Sequence, residues 1–351
     1  MRWLLLTTFC ALASAAADAA PRAVIVGVAA VDGDVTHLLA IDLDVAAPPR
    51  ALSSLQHPAG DTPTGIVVDD LHLAAVLPAH GDLVLHHLKS GEAQILATGL
   101  MKNQRPQRVM TPGGVGLVAV RAAGEGAFDV VNIAPLNDSA GVEVIASLAA
   151  DWLTPVPNST TTTATTTTTT ATFLAFKDGV SRVVALDLPA AVGLRDVVIV
   201  GTGGFRTGAQ RADGSVVIEQ QLDGADALRG TLLAVPAKSV GSASVVVTGL
   251  AGLSPVVAGT RAAASTGNKD GSIVVDSGDG RGFVRVAGGR VGIARPQAIT
   301  SSGDVVVVVS VARGQQLPAE LWLVTNKGAR LLLAAAVGSV VTVYGITGAP
   351  R

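Results

Sequence analysis

Short blocks of apolar residues, rich in valine, recur along almost the whole chain. Each block has at most eight residues and ends at glycine, proline, aspartate or asparagine, which is typical of β-strands joined by tight turns. No segment beyond the first twenty residues shows a capped helical period of ten or more residues. The pattern therefore predicts an all-β protein. Representative blocks lie at residues 23–26, 65–68, 83–85, 183–186, 197–200, 245–247 and 305–309.

Turn sequences separate these blocks. Asp32-Gly33, Asp178-Gly179, Asp213-Gly214 and Asp270-Gly271 belong to the class of pairs that supplies the positive φ angle of a hairpin turn. Most connections are therefore predicted to join antiparallel neighbours.

A sequence repeat indicates how the strands are grouped. Arg105-Pro106-Gln107 recurs as Arg295-Pro296-Gln297, and each copy leads to a turn of small residues and then to a valine-rich strand. Consecutive repeat starts are 41 to 50 residues apart, and a four-stranded propeller blade occupies about 40 to 50 residues. The other starts lie at Pro63, Pro155, Phe205 and Pro255.

The two ends of the chain complete this arrangement. Residues 24–55 hold three strand candidates, and residues 340–346 supply a fourth. We therefore predict a single β-propeller domain over residues 21–351, with seven four-stranded blades closed by N- and C-terminal strands. Because the repeat spacing is irregular, a pair of β-sandwich domains stays open as an alternative.

The chain resembles the exported seven-bladed propellers of the TolB-like and lactonase-like superfamily. The resemblance rests on the proline start, the turn of small polar residues and the valine strand, and it extends over nearly all of residues 21–351. The Ser-Pro-Asp-Gly phrase of TolB-type repeats is degraded, as in Thr111-Pro112-Gly113. The resemblance implies the fold and carries no function with it.

The first twenty residues have the order of a secretory signal peptide. Met1-Arg2 is followed by an apolar run and then by small residues with A-x-A spacing. We predict a signal peptide at residues 1–20 and a secreted or periplasmic protein. Cys10, the only cysteine, lies in this segment, so the mature chain is predicted to fold without disulfides.

The apolar stretch at residues 331–346 is too short for a membrane anchor and contains Gly338. We predict two successive strands there, and no membrane span in the mature chain.

The formal net charge is -2, and lysine and arginine are scattered rather than clustered, so a nucleic-acid partner is not expected.

The sequence contains few motifs that could form a catalytic or metal-binding site. No nucleophile elbow, phosphate-binding loop or H-E-x-x-H motif occurs, and we predict no catalytic residue and no cofactor. All six histidines fall between His37 and His87, but the adjacent His86 and His87 must point to opposite faces of a strand. Their spacing fits no zinc pattern, so no metal site is predicted.

A threonine-rich tract occupies residues 159–172. Compared with other repeats it is an insertion of seven to nine residues, because 18 residues separate Pro155 from Phe173 and only 11 or 9 separate the equivalent positions elsewhere. We place it in the inner hairpin of a blade. A tolerated surface loop explains the tract, and an O-glycosylated patch is the alternative.

The first strand of each propeller blade faces the central channel, and residues at the repeat starts are expected near the channel mouth. Several guanidinium groups around one axis would suit an anionic ligand or a peptide carboxylate. Capping of turns and pairing with nearby aspartates is the alternative role. The candidate ligand-binding residues are Arg105, Gln107, Arg206, Arg261, Arg295 and Gln297.

The leading hypothesis is an exported, non-catalytic scaffold that binds a protein or small-molecule ligand at the channel mouth. One alternative is a propeller-type hydrolase or lactonase that uses carboxylates or histidines at the same mouth. The other is a glycosylated surface structural protein, which the threonine tract would favour.

Overall fold

A computed structural model gives the architecture. It describes residues 22–111, 114–134, 136, 141–157, 170–188, 195–202, 205–211, 216–221, 230–235, 244–250, 255–258, 261–267, 270–276, 282–286, 292–310 and 319–348. The predicted signal peptide and most of the threonine tract lie outside these residues. Within them, no helix is long and apolar enough to cross a membrane.

The described residues form β-strands throughout. The first half of the chain contains β1 (Arg22–Ala30), β2 (Val35–Asp42), β3 (Arg50–Gln56), β4 (Thr64–Val67), β5 (His72–Leu77), β6 (Asp82–His87), β7 (Ala93–Ala97), β8 (Gln107–Thr111), β9 (Gly114–Gly124), β10 (Ala127–Ala134), β11 (Gly141–Ala149), β12 (Trp152–Pro155), β13 (Thr170–Lys177) and β14 (Val180–Asp187). The second half contains β15 (Arg195–Thr202), β16 (Phe205–Gln210), β17 (Val216–Gln221), β18 (Gly230–Val235), β19 (Ser244–Leu250), β20 (Val256–Ala258), β21 (Arg261–Ser265), β22 (Ser272–Asp276), β23 (Gly282–Val286), β24 (Ile293–Ile299), β25 (Val305–Ser310), β26 (Glu320–Thr325), β27 (Gly328–Ala334) and β28 (Ser339–Gly348).

In the described ranges these strands form seven four-stranded antiparallel sheets, which we number as blades 1 to 7. Blade 1 has the order β28-β1-β2-β3, so its innermost strand comes from the C-terminal end of the chain. Blades 2 to 7 follow as β4–β7, β8–β11, β12–β15, β16–β19, β20–β23 and β24–β27.

The hydrophobic core lies between the blades. Each of seven apolar clusters in the described residues joins one blade to the next, and the last cluster joins blade 7 back to blade 1. The sheets therefore close into a ring, and the predicted β-propeller class is confirmed. Two β-sandwich domains do not fit, because each sheet packs against two neighbours rather than one.

Burial on both faces explains the valine runs. In β1, Ile25 packs toward blade 2, whereas Val24 and Val26 pack toward blade 7. Successive side chains of a strand point to opposite faces, so a sheet that is covered on both sides needs an apolar residue at every position. The same reason accounts for residues 305–309, where five valines follow one another.

The proline repeat located the inner strands closely. Pro63, Pro106 and Pro255 immediately precede β4, β8 and β20, and Phe205 begins β16. Pro155 and Pro296 instead lie within β12 and β24. The apolar stretch at residues 331–346 is divided between β27 and β28, as predicted.

The threonine tract joins the first two strands of blade 4. Residues 158–169 lie outside the described residues, but the flanking strands β12 and β13 pair directly, with Pro155 opposite Phe173. The predicted insertion extended to residue 172, whereas Thr170 and Thr172 are part of β13.

The ring is closed by pairing between β28 and β1, from Arg22 opposite Gly348 to Ala30 opposite Ser339. A bulge leaves Tyr344 without a partner between Val343 and Gly345. The Tyr344 ring is 2% exposed, and its hydroxyl donates a hydrogen bond of 3.3 Å to the Pro63 carbonyl oxygen of the next blade. Tyr344 therefore connects the closing strand to blade 2.

We predict that Gly27→Ala destabilises the closed ring. A Cβ at Gly27 would lie 2.8 Å from Tyr344 Cε2 and 2.5 Å from Thr36 Cγ2, and overpacking of this kind costs about 1–3 kcal/mol. Gly141→Ala is the control, because a Cβ there meets only the Ala134 carbonyl oxygen at 3.7 Å. The free energy of unfolding in urea measures both effects, and equal stabilities would contradict this account of the closing strand.

Candidate functional site: the channel mouth

A cavity of about 520 Å³ opens at the end of the channel where the inner strands begin. Its described lining comes from blades 2, 4, 5, 6 and 7 and from the loop at residues 101–105 that joins blade 2 to blade 3. Trp152 and the prolines Pro155, Pro157, Pro255 and Pro296 form much of the wall. The described lining contains no carboxylate and no histidine.

The loop at residues 101–105 is fixed by hydrogen bonds to three blades. Met101 N donates to the Val120 carbonyl oxygen in blade 3 at 2.8 Å. Thr64 Oγ1, in blade 2, donates to the Gln104 carbonyl oxygen at 3.2 Å. The Gln104 side-chain Nε2 donates to a main-chain carbonyl oxygen in blade 4 at 2.8 Å. The loop therefore presents its side chains to the cavity in a preorganised arrangement.

Arg105 is the enclosed cation of this cavity. It extends from the start of blade 3 to the closing strand, where Nη2 donates a hydrogen bond of 2.9 Å to the Val343 carbonyl oxygen. Among the described residues no carboxylate forms an ion pair with it. Burial lowers the pKa of Arg105, and the nearby Tyr344 acts in the opposite direction. The ordinary arginine pKa is so high that the group stays charged.

Tyr344 does not supply a compensating charge. Burial raises the pKa of its hydroxyl above the ordinary value, and Arg105 opposes this shift only in part. Tyr344 is therefore neutral near pH 7, and the positive charge of Arg105 is balanced by dipoles such as the Val343 carbonyl group.

Gln104 precedes Arg105 on this loop and connects it to blade 4. Its Nε2 is bonded to the Leu153 carbonyl oxygen, whereas its Oε1 is buried and has no hydrogen-bond partner among the described residues. Exchange of the amide O and N would place two acceptors against each other at Leu153, so this bond fixes the orientation of the amide. Because Oε1 is buried, a ligand in the cavity does not reach this acceptor.

Two of the six predicted ligand-binding residues line the cavity, namely Arg105 and Gln297. Gln297 lies at a bulge in β24 between Pro296 and Ala298. Arg206 is part of β16, the inner strand of blade 5, and its side chain lies outside the described residues.

The structure places the other three elsewhere. Gln107 is fully buried and turned toward blade 4, where Nε2 donates to the Thr172 carbonyl oxygen and Oε1 accepts from Thr172 N at 3.1 Å. Arg261 begins the second strand of blade 6, at the far end of the channel, and Nη1 donates to the Ser302 carbonyl oxygen. Arg295 is exposed and does not line the cavity.

Sequence reasoning missed Gln104, Trp152 and Thr64 as lining residues. Proximity to a repeat start was the available signal, since Gln104 precedes Arg105 and Thr64 follows Pro63. The orientation of each side chain was not encoded in that signal.

The histidine side chains take part in hydrogen bonds with other residues of the chain. In the described residues no group of three or more metal-ligating side chains converges. His72 and His87 are opposite each other on β5 and β6, with ring centroids 5.3 Å apart. The hydrogen-bond partners are Ser54 for His37, Thr36 for His57, Asp69 for His72, Ser53 for His86 and Ser90 for His87.

Known structures share this architecture. The sequence matches no protein-family model and no curated protein. A hypothetical selenium-binding protein from Sulfolobus tokodaii superposes with a TM-score of 0.61 at 10% identity, over 93% of this chain and 94% of that one. A candidate 6-phosphogluconolactonase from Bacteroides uniformis gives a TM-score of 0.57 at 13% identity, over 93% and 99% of the two chains.

TolB from Acinetobacter baumannii gives a TM-score of 0.54 at 14% identity and covers 78% of this chain. This chain spans 65% of that protein, which is less than two thirds of its length. The shared feature is the β-propeller fold. At these identities the likeness extends to the fold alone, so the site must be interpreted from its own residues.

We predict that Gln107→Leu lowers the free energy of unfolding by about 1–3 kcal/mol, because it leaves the buried Thr172 N–H without its acceptor. The Thr172 carbonyl oxygen keeps the Val156 N–H as a donor at 2.8 Å. Gln297→Leu is the matched control, since Gln297 occupies the equivalent place in the Arg-Pro-Gln repeat but lines the cavity. Its effect should stay within about 0.5 kcal/mol. Urea denaturation compares the two, and equal losses would contradict the assignment of Gln107 to the blade interface.

We predict that His86 makes the protein less stable in mild acid. Burial lowers the pKa of His86 in the folded state, so the unfolded chain takes up a proton first as the pH falls through about 6.5. The free energy of unfolding should therefore decrease from about pH 7 to about pH 5. His86→Gln should flatten this dependence, and the exposed His37→Gln should leave it unchanged. Identical pH slopes for all three proteins would contradict the prediction.

Proposed function

We propose that this protein is an exported, non-catalytic propeller that binds a small ligand or a short chain segment in the channel-mouth cavity. The observation that carries the proposal is the cavity itself. Its volume of about 520 Å³ falls within the range of about 300–1,000 Å³ that is usual for ligand sites.

The composition of the wall supports binding. Trp152, Pro155 and Pro255 supply rigid apolar surface, and Arg105 supplies a charged donor group. A largely apolar pocket with a few fixed polar groups is the usual arrangement of a small-molecule site. The hydrogen bonds that hold the loop at residues 101–105 reduce the entropy lost on binding.

The same wall favours binding over hydrolysis. General acid–base catalysis of ester or lactone cleavage needs a carboxylate, an imidazole or a metal-bound water near the substrate. The described lining offers an arginine, a lysine, amides and threonine hydroxyls instead. Lys102, the lysine of this wall, lies exposed at the rim.

Trp152 is a natural reporter for binding. In Trp322→Phe it is the only tryptophan after residue 20, and Trp322 does not belong to the described cavity wall. Residues 21–351 of this variant should show a saturable change in tryptophan fluorescence with at least one class of a panel of amino acids, organic acids, sugars, amines and short peptides. Binding excludes water from the indole ring, which is why its emission should change.

The converse variant, Trp152→Phe, keeps Trp322 as the reporter and should show no saturable change with the same compounds. The absence of any saturable response from Trp152 across the panel would contradict ligand binding at the mouth. Turnover of esters or lactones in proportion to protein concentration would contradict the non-catalytic assignment.

A further inference from the structure

We infer that the ligand of the channel mouth is a singly charged carboxylate with an apolar body, and that Arg105 binds the carboxylate. This inference rests on the proposed function and specifies the chemical class of the ligand. A peptide with a free C-terminus and a small N-acyl or hydroxy acid both have this chemistry.

The charge of Arg105 points to an anion. An enclosed cation without a carboxylate partner is unfavourable, because neighbouring dipoles replace only part of the water that a charge loses on burial. Arg105 has the Val343 carbonyl oxygen as its acceptor among the described residues. A bound anion would supply the missing countercharge.

The geometry of the guanidinium group favours a carboxylate. Arginine has five N–H donors in a planar fork that binds a carboxylate through two parallel hydrogen bonds. The bond to Val343 uses one N–H of Nη2. The second N–H of Nη2 forms a two-donor edge for the ligand with Nε or with Nη1. Neither atom is among the buried, unpartnered nitrogens of the described residues, which is consistent with an edge that faces the cavity.

A phosphate dianion is less well matched. It has more charge and more acceptor oxygens than one guanidinium group can satisfy, and phosphate sites usually add main-chain N–H groups or a second cation. The second cation of the described wall is Lys102, which is exposed at the rim. One enclosed positive charge therefore suits a singly charged acid.

The rest of the wall accommodates an apolar body. Trp152, Pro155, Pro255 and Val256 surround the cavity with surface that donates no side-chain hydrogen bond except through the indole N–H. A branched apolar side chain next to the acid group would therefore bury well. N-acetyl-leucine combines the carboxylate, the amide N–H and an apolar side chain in one probe.

The experiment compares probes that differ by one group, using residues 21–351 with Trp322→Phe and Trp152 fluorescence. N-acetyl-leucine should bind at least tenfold more tightly than N-acetyl-leucinamide, which lacks the carboxylate. Arg105→Gln should weaken N-acetyl-leucine at least tenfold, since bonds to a charged group are the strong ones. Arg105→Lys keeps the charge and should weaken it less.

Arg295→Gln is the matched control, since Arg295 occupies the equivalent place in the repeat, is exposed and does not line the cavity. It should bind both probes as the parent does, and thermal unfolding should show that all the variants fold.

The outcomes separate the two proposals. If neutral or cationic compounds bind with a Trp152 response and Arg105→Gln does not weaken them, the carboxylate inference is overturned while ligand binding at the mouth stands. If no compound elicits that response, both fail. A free-terminus peptide that binds tenfold more tightly than N-acetyl-leucine, and loses this advantage on C-terminal amidation, identifies a polypeptide terminus as the source, whereas equal affinities identify a small acid.

Discussion

The ring depends on the burial of both faces of every sheet. Each blade exposes a layer of valine, leucine and isoleucine on either side, and only two flanking blades can cover both layers. A linear stack would leave one apolar face of its first sheet and one of its last sheet exposed to water. The ring covers both of these faces because it packs the first and last sheets against each other. Pairing of β28 with β1 fixes this closure in the main chain. The only cysteine precedes residue 21, so apolar burial and main-chain pairing carry the fold.

The same constraint creates the candidate site. The innermost strand of each blade pairs on one side only, and its other edge faces the channel. Proline is tolerated on such an edge because its missing N–H is not needed for pairing there. Pro155 in β12 and Pro296 in β24 occupy these positions and line the cavity. The prolines that mark the repeat therefore have a structural reason at the edge and give the mouth its apolar wall.

The sequence contained most of the fold and little of the site. Strand positions and the closure by both termini followed from apolar patterning and repeat spacing, which are averaged over many residues. The site depends on single orientations. The Gln107 side chain points to the next blade rather than to the channel, and it bonds Thr172 there. Arg261 follows the first hairpin of blade 6 and therefore lies at the opposite end of the channel. Patterning cannot distinguish such positions, because a polar residue in an inner strand serves either the channel or the neighbouring blade.

Arg105 joins the closure of the ring to the chemistry of the mouth. Its acceptor, the Val343 carbonyl oxygen, belongs to the closing strand, next to the bulge that turns Tyr344 toward blade 2. A guanidinium group held in this way needs both ends of the chain in place, so the site exists only in the closed ring. A ligand that neutralises Arg105 binds the folded state and not the unfolded chain, and it therefore stabilises the closure by mass action. Under the proposed function, binding at the mouth and the integrity of the ring are thermodynamically linked through this one contact.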